Sequence, residues 1–299
     1  MKISKYHGTG NDFVMIEDLG DLVALTPALV AGLCDRHRGI GGDGVIRIAP
    51  SDRADFFMDY WNANGEVAEM CGNGIRCLAK LVFERGLTAE SELDVDTRSG
   101  VKHLRLTVDG GEVTGVRVDM GSPSLALGDI PMTGDPADTF VGVPFEVEGV
   151  PYHATAVSMG NPHFVLIGEG DPAEVDVRRI GPALEHHETF PERTNVEFVR
   201  IEDGAVRLRV WERGSGETMA CGTGACAALV AASVAGLVPR RAAVIFPGGE
   251  LEVEWAADDR VFLTGPATFV FATEIDAGAA EALGERLLGR QAAAPGTPR

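Results

Sequence analysis

The sequence has little positive charge. Its 26 Lys and Arg residues stand against 45 Asp and Glu residues, giving a formal net charge of −19. Binding nucleic acid requires a basic face for the phosphates, so this charge argues against a nucleic-acid partner. The chain has only four lysines, at Lys2, Lys5, Lys80 and Lys102. None lies beside a glycine-rich phosphate cradle, as a pyridoxal Schiff-base lysine would, and chemistry without a cofactor is favoured.

Long apolar segments are also lacking. Residues 1–7 do not begin an apolar stretch with a cleavage site, so no signal peptide is expected. The longest apolar run, residues 225–238, is rich in alanine and too short to span a bilayer. The five cysteines have no spacing typical of a zinc site. These features predict a cytoplasmic protein with free thiols, no metal and no membrane partner.

An internal repeat is the most informative feature present. Trp61 comes ten residues before the sequence Cys71-Gly72-Asn73-Gly74, and Trp211 comes ten residues before Cys221-Gly222-Thr223-Gly224. Gly10-Asn11 is echoed by Gly160-Asn161 at the same offset of 150 residues. Because the chain has 299 residues, the offset is half its length. The sequence therefore predicts two homologous halves.

The residue pattern predicts the secondary structure of both halves. Helices are expected at residues 72–84 and 222–235, each stopped by a glycine at Gly86 or Gly236. The second is almost wholly apolar and must be surrounded by protein. Another helix begins at Thr26-Pro27 and continues to about Arg38. Strands are predicted at 13–16, 45–48, 105–108, 116–120, 164–167, 206–211 and 261–264. We expect an α/β (α+β) fold of two pseudo-symmetric domains, each a sheet wrapped around a central helix.

A Cys-Gly-x-Gly turn at a helix start has a clear chemical meaning. Backbone N–H groups converge there, the helix dipole adds positive charge, and a carboxylate would bind. The same field is expected to lower the thiol pKa, so that the cysteine can act as a base. Cys71 and Cys221 could thus flank one α-carbon as opposed acid and base. The cysteines at 34, 77 and 226 are predicted to be small buried hydrophobic residues.

Two other interpretations of the sequence have less support than a pair of acid and base cysteines. A cysteine nucleophile of the hydrolase type would need a histidine base, such as His7 or His163, but would leave the second Cys-Gly turn unexplained. Residues 39–44 satisfy G-x-G-x-x-G. That motif follows a predicted helix and precedes a strand, which is the reverse of a dinucleotide-binding fold.

The two cysteine segments resemble the signatures of the diaminopimelate epimerase family. The similarity covers roughly residues 1–275 and includes, in order, the motifs HGTGNDF at 7–13, WNANGE at 61–66, EMCGNGIRC at 69–77, GNPH at 160–163, TNVE at 194–197, WERGSGET at 211–218, ACGTGAC at 220–226 and GPA at 265–267. The resemblance implies interconversion of LL- and meso-diaminopimelate without pyridoxal phosphate, in lysine and peptidoglycan-precursor synthesis. It also implies an active site in a cleft between the two domains. We expect domains at 1–120, with a returning strand at 266–276, and at 121–265, and then a short helix and a disordered tail at 277–299.

The resemblance also implies roles for individual residues. Cys71 and Cys221 would be the thiolate and thiol pair, and His163 and Glu212 would assist them. The reacting carboxylate would be held by backbone N–H groups of Gly72, Asn73, Gly222 and Thr223. The substrate's other polar groups would be bound by Asn11, Asn62, Asn161, Asn195, Glu212 and Arg213. Gly44 departs from the family by offering only backbone where some members carry a polar side chain, and 277–299 extends past the usual end.

Two alternatives remain open at this level. A cofactor-independent racemase of the same fold would keep both Cys-Gly turns but need not keep Arg213 or the asparagines. A non-catalytic binding protein with the same cleft would need neither thiol as a base, and exchange of the α-hydrogen with solvent separates it from an enzyme. For the enzyme we expect a small-molecule substrate and a homodimer.

Overall fold

The computed structural model describes residues 1–293, with side chains to residue 289. The chain divides into two compact units. The first contains Met1–Val116 together with the segment from Ala267 onward, and the second contains Arg117–Pro266. The chain thus leaves the first unit within a strand and returns to it after residue 266.

The first unit is a sheet with three helices. Its strands are β1 (Lys2–Gly8), β2 (Asn11–Glu17), β3 (Gly44–Ala49), β4 (Phe56–Asn62), β5 (Glu92–Thr97), β6 (Gly100–Asp109), the start of β7 (Glu112–Gly121), and β17 (Thr268–Glu274). Its helices are α1 (Pro27–Cys34), α2 (Gly72–Glu84) and α5 (Ala277–Ala293). Strands pair in the order β17, β1, β2, β3, β4, β5, β6, with parallel pairing between β2 and β3 and between β4 and β5.

The second unit repeats this arrangement. Its strands are β8 (Val143–Val147), β9 (Val150–Ser158), β10 (Pro162–Ile167), β11 (Asn195–Glu202), β12 (Ala205–Glu212), β13 (Gly216–Thr218), β14 (Arg241–Phe246), β15 (Gly249–Trp255) and β16 (Val261–Gly265), and its helices are α3 (Val177–Glu185) and α4 (Gly222–Val234). Pairing follows β8, β9, β10, β11, β12, β14, β15, β16. The parallel pairs are β10 with β11 and β12 with β14, which correspond to the parallel pairs of the first unit. This correspondence confirms the predicted internal repeat.

Each unit holds one central helix against its sheet. α2 packs on β1, β2, β3, β6 and β17, and α4 packs on β9 to β12 and β14 to β16. Ten of the thirteen residues of α4 are buried, so the prediction of a helix surrounded by protein is confirmed. The predicted stops are confirmed too, because Gly86 and Gly236 follow the two helices with left-handed φ angles of 70° and 73°.

The helix predicted from Thr26-Pro27 to about Arg38 is shorter than expected. α1 ends at Cys34, because the Asp35 side chain accepts the backbone N–H groups of His37 at 2.9 Å and Arg38 at 2.6 Å and turns the chain. In the glycine-rich segment that follows, the N–H groups of residues 39 to 42 donate to carbonyls of residues 33 to 35. The segment follows α1, precedes β3, and has these amides occupied, so it is not a phosphate cradle.

The C-terminal helix belongs to the first unit and packs very closely on α1. A Cβ atom added at Gly32 would lie 1.8 Å from the carbonyl oxygen of Ala280, and one added at Gly284 would lie 1.6 Å from that of Ala28. The Thr26 hydroxyl donates to Glu281 at 2.8 Å. A short helix was predicted here, but α5 has 17 residues and is longer than expected. Residues 294–299 of the predicted tail lie outside the described residues. Among residues 1–293, no helix has the length and apolar character needed to cross a membrane.

Candidate active site

Cys71 occupies the N-cap position of α2. It has an extended backbone, with φ of −138°, and its carbonyl accepts the first helical hydrogen bond from the Ile75 N–H at 2.9 Å. Its side chain is half-buried and donates to Asn11 Oδ1 at 3.5 Å. The Cys-Gly turn therefore places the thiol at the helix N-terminus, as the sequence predicted.

A chain of polar side chains leads away from this thiol in the first unit. Asn73 donates from Nδ2 to Asn11 Oδ1 at 3.2 Å, so the Asn11 oxygen receives both Asn73 and Cys71. Asn11 in turn donates from Nδ2 to Asp43 Oδ2 at 2.7 Å. Asp43 is itself held by Arg36, whose Nη2 lies 2.6 Å from Asp43 Oδ1. Asp43 was not predicted from the sequence, yet it fixes the orientation of the Asn11 amide.

A buried arginine stabilises the N-terminal turn of α2. Arg76 is fully buried and donates to Gly72 O at 2.9 Å, to Asn73 Oδ1 at 3.0 Å and to Thr9 Oγ1 at 3.1 Å. A Cβ atom at Gly8 would lie 2.9 Å from Asn73 O and 3.0 Å from the guanidinium. The Gly8 backbone packs against Asn73, and the hydrogen bond from Arg76 to Asn73 Oδ1 fixes the Asn73 side chain. The other two hydrogen bonds from Arg76 hold Gly72 and Thr9. The sequence predicted no role for Arg76.

Asn62 lies at the same end of the first sheet. It is the last residue of β4 and pairs with Gly44, the first residue of β3. The next residue, Ala63, donates its N–H to Asp43 O at 3.1 Å. Asn62 is therefore next to the segment that orients Asn11, with a half-buried side chain.

Cys221 repeats the geometry of Cys71 in the second unit. It is the N-cap of α4, with φ of −127°, and Ala225 N–H donates to its carbonyl at 2.9 Å. Its sulfur accepts the Gly224 N–H at 3.4 Å and lies 3.5 Å from Thr223 Oγ1. Only 5% of Cys221 is exposed.

The electrostatics of Cys221 contradict one expectation from the sequence. Burial raises the pKa of this thiol well above its ordinary value, and the carboxylates of Glu212 and Glu197 raise it further. The hydrogen bonds from Thr223 and Gly224 act in the opposite direction but do not prevail. The expectation that the helix start lowers this pKa was wrong, because it left out desolvation and two neighbouring acids.

Glu212 is coupled to this thiol. Burial raises the pKa of the Glu212 carboxyl, while hydrogen bonds with Thr218 and Cys221 oppose the rise. Glu212 ends β12 and Thr218 ends β13, so the short β13 hairpin brings the hydroxyl to the carboxylate. A carboxyl group hydrogen-bonded to a buried thiol is placed to exchange a proton with it.

His163 belongs to a fully buried pair on adjacent parallel strands. Its Nδ1 lies 2.6 Å from Glu197 Oε1, and its Nε2 lies 3.0 Å from Asn161 Oδ1. Asn161 Nδ2 donates to Thr223 Oγ1 at 3.4 Å. His163 is thus linked to the Cys221 turn through Asn161 and Thr223. The sequence singled out His163 and Asn161 but assigned nothing to Glu197.

Asn195 bridges two segments of the second unit. Its Nδ2 donates to Pro162 O at 2.7 Å, and its Oδ1 accepts the Arg213 N–H at 2.8 Å. The Arg213 guanidinium donates from Nη1 to Glu192 O at 3.2 Å. Asn195 therefore fixes the backbone from which the half-buried Arg213 side chain extends.

The remaining cysteines behave as the sequence predicted. Cys34, Cys77 and Cys226 are buried at 5%, 0% and 0% exposure. Burial raises the pKa of the Cys34 and Cys77 thiols to about 12. The Cys34 and Cys77 thiols are therefore protonated at neutral pH.

Comparison with known proteins identifies the family. The family model described as diaminopimelate epimerase matches residues 3–126 and 155–270. The chain belongs to the diaminopimelate epimerase family. The diaminopimelate epimerase of Desulfitobacterium hafniense is 48% identical over 277 residues, covering 91% of this chain and 96% of that protein. That of Methanococcus maripaludis is 45% identical over 278 residues, covering 92% and 100%. As a member of this family, the chain is an isomerase.

Solved structures of low sequence identity share the fold of this epimerase family member. A PhzF-family phenazine biosynthesis protein from Bacillus anthracis matches with a TM-score of 0.67 at 15% identity, covering 92% of this chain and 99% of that one. A hydroxyproline epimerase from Agrobacterium vitis matches with a TM-score of 0.64 at 16% identity, covering 92% and 90%. These likenesses confirm the predicted fold class.

Proposed function

We propose that the protein interconverts LL- and meso-diaminopimelate by transferring a proton at the α-carbon between two cysteines, without a cofactor. The observation that carries the proposal is the matched pair of N-cap cysteines, Cys71 on α2 and Cys221 on α4, each inside a network of polar side chains. Relatives at 45% to 48% identity that carry this enzyme's name support the substrate.

The reaction inverts one carbon in two half-steps. One cysteine, as thiolate, takes the α-proton, and the electron pair of the broken C–H bond stays on the substrate, delocalised toward its carboxylate. The other cysteine, as thiol, then delivers its own proton to the opposite face. The two cysteines thereby exchange protonation states, and proton exchange with water restores them.

The two helix N-termini would hold the reacting carboxylate. Gly72 and Asn73 begin α2, and Gly222 and Thr223 begin α4. A helix start presents backbone N–H groups and partial positive charge, both of which favour a carboxylate and its build-up of negative charge during the reaction. We propose backbone binding of the substrate carboxylate at these four residues.

The raised pKa of Cys221 supports a division of roles between the thiols. We propose that Cys221 rests as the thiol and that Cys71 removes the first proton. His163 and Glu212 would assist Cys221, because Glu212 is hydrogen-bonded to it and His163 is linked to it through Asn161. Glu212 would carry the proton that Cys221 gains and loses, whereas His163 would act on Cys221 through hydrogen bonds alone.

Side chains would bind the amino-acid group at the far end of the substrate. We propose Arg213 as the carboxylate partner, since its planar guanidinium can donate two parallel hydrogen bonds. The side-chain amides of Asn11, Asn62, Asn161 and Asn195 would form further hydrogen bonds with polar groups of the substrate. Asn195 would act in part by holding Arg213, given its hydrogen bond to the Arg213 N–H.

We also propose a cytoplasmic homodimer acting in lysine and peptidoglycan-precursor synthesis. Free thiols at all five cysteines fit a reducing compartment. An exposed apolar stretch of β17 supports self-association, because Phe269, Val270 and Phe271 are 44%, 51% and 39% exposed. Light scattering at several protein concentrations tests the dimer.

The function is tested by incubating the protein with LL-diaminopimelate and resolving the stereoisomers by chiral chromatography. We expect LL and meso isomers to reach equilibrium from either starting isomer. Proline, hydroxyproline and lysine serve as comparison substrates. Faster racemisation of one of these would replace the proposed substrate, and no turnover of any amino acid would favour a binding protein.

A further inference from the structure

Glu197 lies directly beneath the N-terminal turn of α4 and is fully buried. Its Oε1 lies 2.6 Å from His163 Nδ1, and a Cβ atom added at Gly224 would come within 2.8 Å of the same oxygen. Its Oε2 is buried with no hydrogen-bond partner among the described residues. Burying a carboxyl group costs free energy, and Glu197 has one side-chain hydrogen bond, to His163, to offset that cost. This cost suggests that Glu197 has a functional role.

Glu197 determines which His163 nitrogen carries hydrogen. Asn161 Oδ1, 3.0 Å from Nε2, is a carbonyl oxygen that can only accept, so Nε2 must donate. At Nδ1, the proton shared with Glu197 can lie on either partner. In both cases Nε2 remains protonated. Without a partner at Nδ1, the imidazole could adopt its other tautomer, which has no hydrogen for Asn161.

From His163 to Cys221, each residue in the chain donates a hydrogen bond to the next. Because Asn161 Oδ1 accepts from His163, its Nδ2 faces Thr223 and donates to Oγ1 at 3.4 Å. Thr223 has a single hydroxyl proton, and with Oγ1 accepting from Asn161 this proton is available for the Cys221 sulfur at 3.5 Å. The Gly224 N–H supplies a second donor to the sulfur at 3.4 Å.

We propose that Glu197 is a positioning residue that sets the direction of this chain through His163, Asn161 and Thr223, and so presents a hydrogen-bond donor to the Cys221 sulfur. The inference rests on the proposed function, in which Cys221 loses and regains a proton. A donor at the sulfur stabilises the thiolate and offsets part of the effect of burial. The ionisable groups of the cluster are His163 on β10, Glu197 on β11, Glu212 on β12 and Cys221 at α4.

The test compares two substitutions that remove the same charge. Glu197→Gln keeps an amide that can donate to Nδ1, whereas Glu197→Leu, of similar size, leaves Nδ1 without a partner. We measure the pH midpoint for alkylation of Cys221 by iodoacetamide, using mass spectrometry of the Cys221 peptide. The midpoint in Glu197→Leu should lie about one pH unit above that in Glu197→Gln, since lost hydrogen bonds of this kind change equilibria about tenfold. Equal midpoints would overturn the proposal, because they would show that Glu197 affects Cys221 only through its charge.

Kinetics and spectroscopy give independent readouts. We expect kcat to fall about tenfold or more in Glu197→Leu with KM within about twofold, and Glu197→Gln to recover most of it. Asp119→Asn, which alters a buried carboxylate paired with Arg260 in the same unit, is the matched control and should keep wild-type kcat.

A measurement on the unaltered protein covers the case in which Glu197→Leu does not fold. The ¹⁵N spectrum of the wild-type protein should show Nε2 of His163 protonated from pH 6 to pH 9, and an unprotonated Nε2 would contradict the proposal. Alkylation and spectroscopy need no substrate. Failure of the epimerase assay would therefore count against the proposed function and not against this chain of hydrogen bonds.

Discussion

Asn11 and Asp43 are joined by a hydrogen bond of 2.7 Å that decides which way the Asn11 amide points. Because the Asn11 nitrogen is committed to the Asp43 carboxylate, the Asn11 oxygen faces Cys71 and Asn73. Asp43 is anchored in turn by Arg36. Asp43 therefore sets the orientation of Asn11 Oδ1, which accepts a hydrogen bond from the Cys71 thiol.

Replacing Asp43 by Ala should disturb the site without unfolding the protein. The Asn11 amide would be free to rotate, and loss of this hydrogen bond should lower kcat/KM by about tenfold. Glu92→Gln, which removes a charge from the exposed pair with Arg105, is the control and should change neither activity nor melting temperature. Full activity in Asp43→Ala would show that Asn11 needs no external support.

The two-cysteine mechanism predicts asymmetric labelling by solvent. When LL-substrate is converted in deuterated water, early meso product should carry deuterium at the inverted carbon, while recovered LL-substrate stays largely protiated. Mass spectrometry of the separated isomers measures this. Early labelling of both isomers to the same extent would indicate a single base acting on both faces.

The protonation of Cys221 predicts its reactivity with pH. Since burial and two carboxylates hold its pKa well above the ordinary thiol value, iodoacetamide should modify it only at alkaline pH. Glu212→Gln removes one negative charge beside the sulfur, so the pKa of Cys221 should fall and alkylation should begin at a lower pH. Cys34 and Cys77, with pKa values of about 12, are internal references in the same digest. An upward shift in Glu212→Gln would mean that Glu212 mainly accepts the thiol proton.

Removing Arg213 should impair recognition of the distal carboxylate. Leaving that carboxylate without its partner costs on the order of 3 kcal/mol, so Arg213→Ala should lower kcat/KM about a hundredfold, with kcat and KM both affected. Lysine, which lacks the distal carboxylate, should be a very poor substrate. Arg207→Ala, which alters an exposed arginine paired with Glu202, controls for loss of charge. Unchanged kinetics in Arg213→Ala would remove this residue from the site.

A side chain at Gly74 should destabilise the protein. A Cβ atom there would lie 2.5 Å from Ile46 Cδ1 and 3.0 Å from Met58 Cε, inside the core between α2 and the sheet. Gly74→Ala should therefore reduce the free energy of unfolding by about 1–3 kcal/mol. Gly170→Ala, at a position where an added Cβ meets nothing within 4 Å, should be neutral. Urea denaturation compares the two, and equal stabilities would show that α2 can shift away from β3.

The parts of the structure that the sequence predicted are those with a local or repeated signal. Helices α2 and α4 were predictable because a Cys-Gly turn opens each and a glycine closes it. Strand β5, with the sequence ELDVDT, was missed because Asp and Glu are uncommon in strands. Strand β17 falls within the returning strand that the resemblance implied at 266–276.

Within the candidate site, the duplicated cysteines could be predicted from the sequence. The residues that orient the neighbouring polar side chains could not. Asp43 and Glu197 act on residues 32 and 34 positions away in the sequence, so no local pattern marks them. The pKa of Cys221 was misjudged for the same reason. Its dominant influence, burial, arises only when β11 and β12 are folded around α4.

The first unit is assembled from both ends of the chain, which fixes an order of completion during synthesis. Strand β1 is made first, but its neighbour β17 emerges from the ribosome last, whereas the second unit is a single uninterrupted segment, Arg117–Pro266. The later half of the repeat is thus the first to have all of its strands available. Until β17 arrives, β1 presents an unpaired edge to other nascent chains. A polypeptide truncated just before Thr268 would retain an intact second unit and a permanently open sheet in the first.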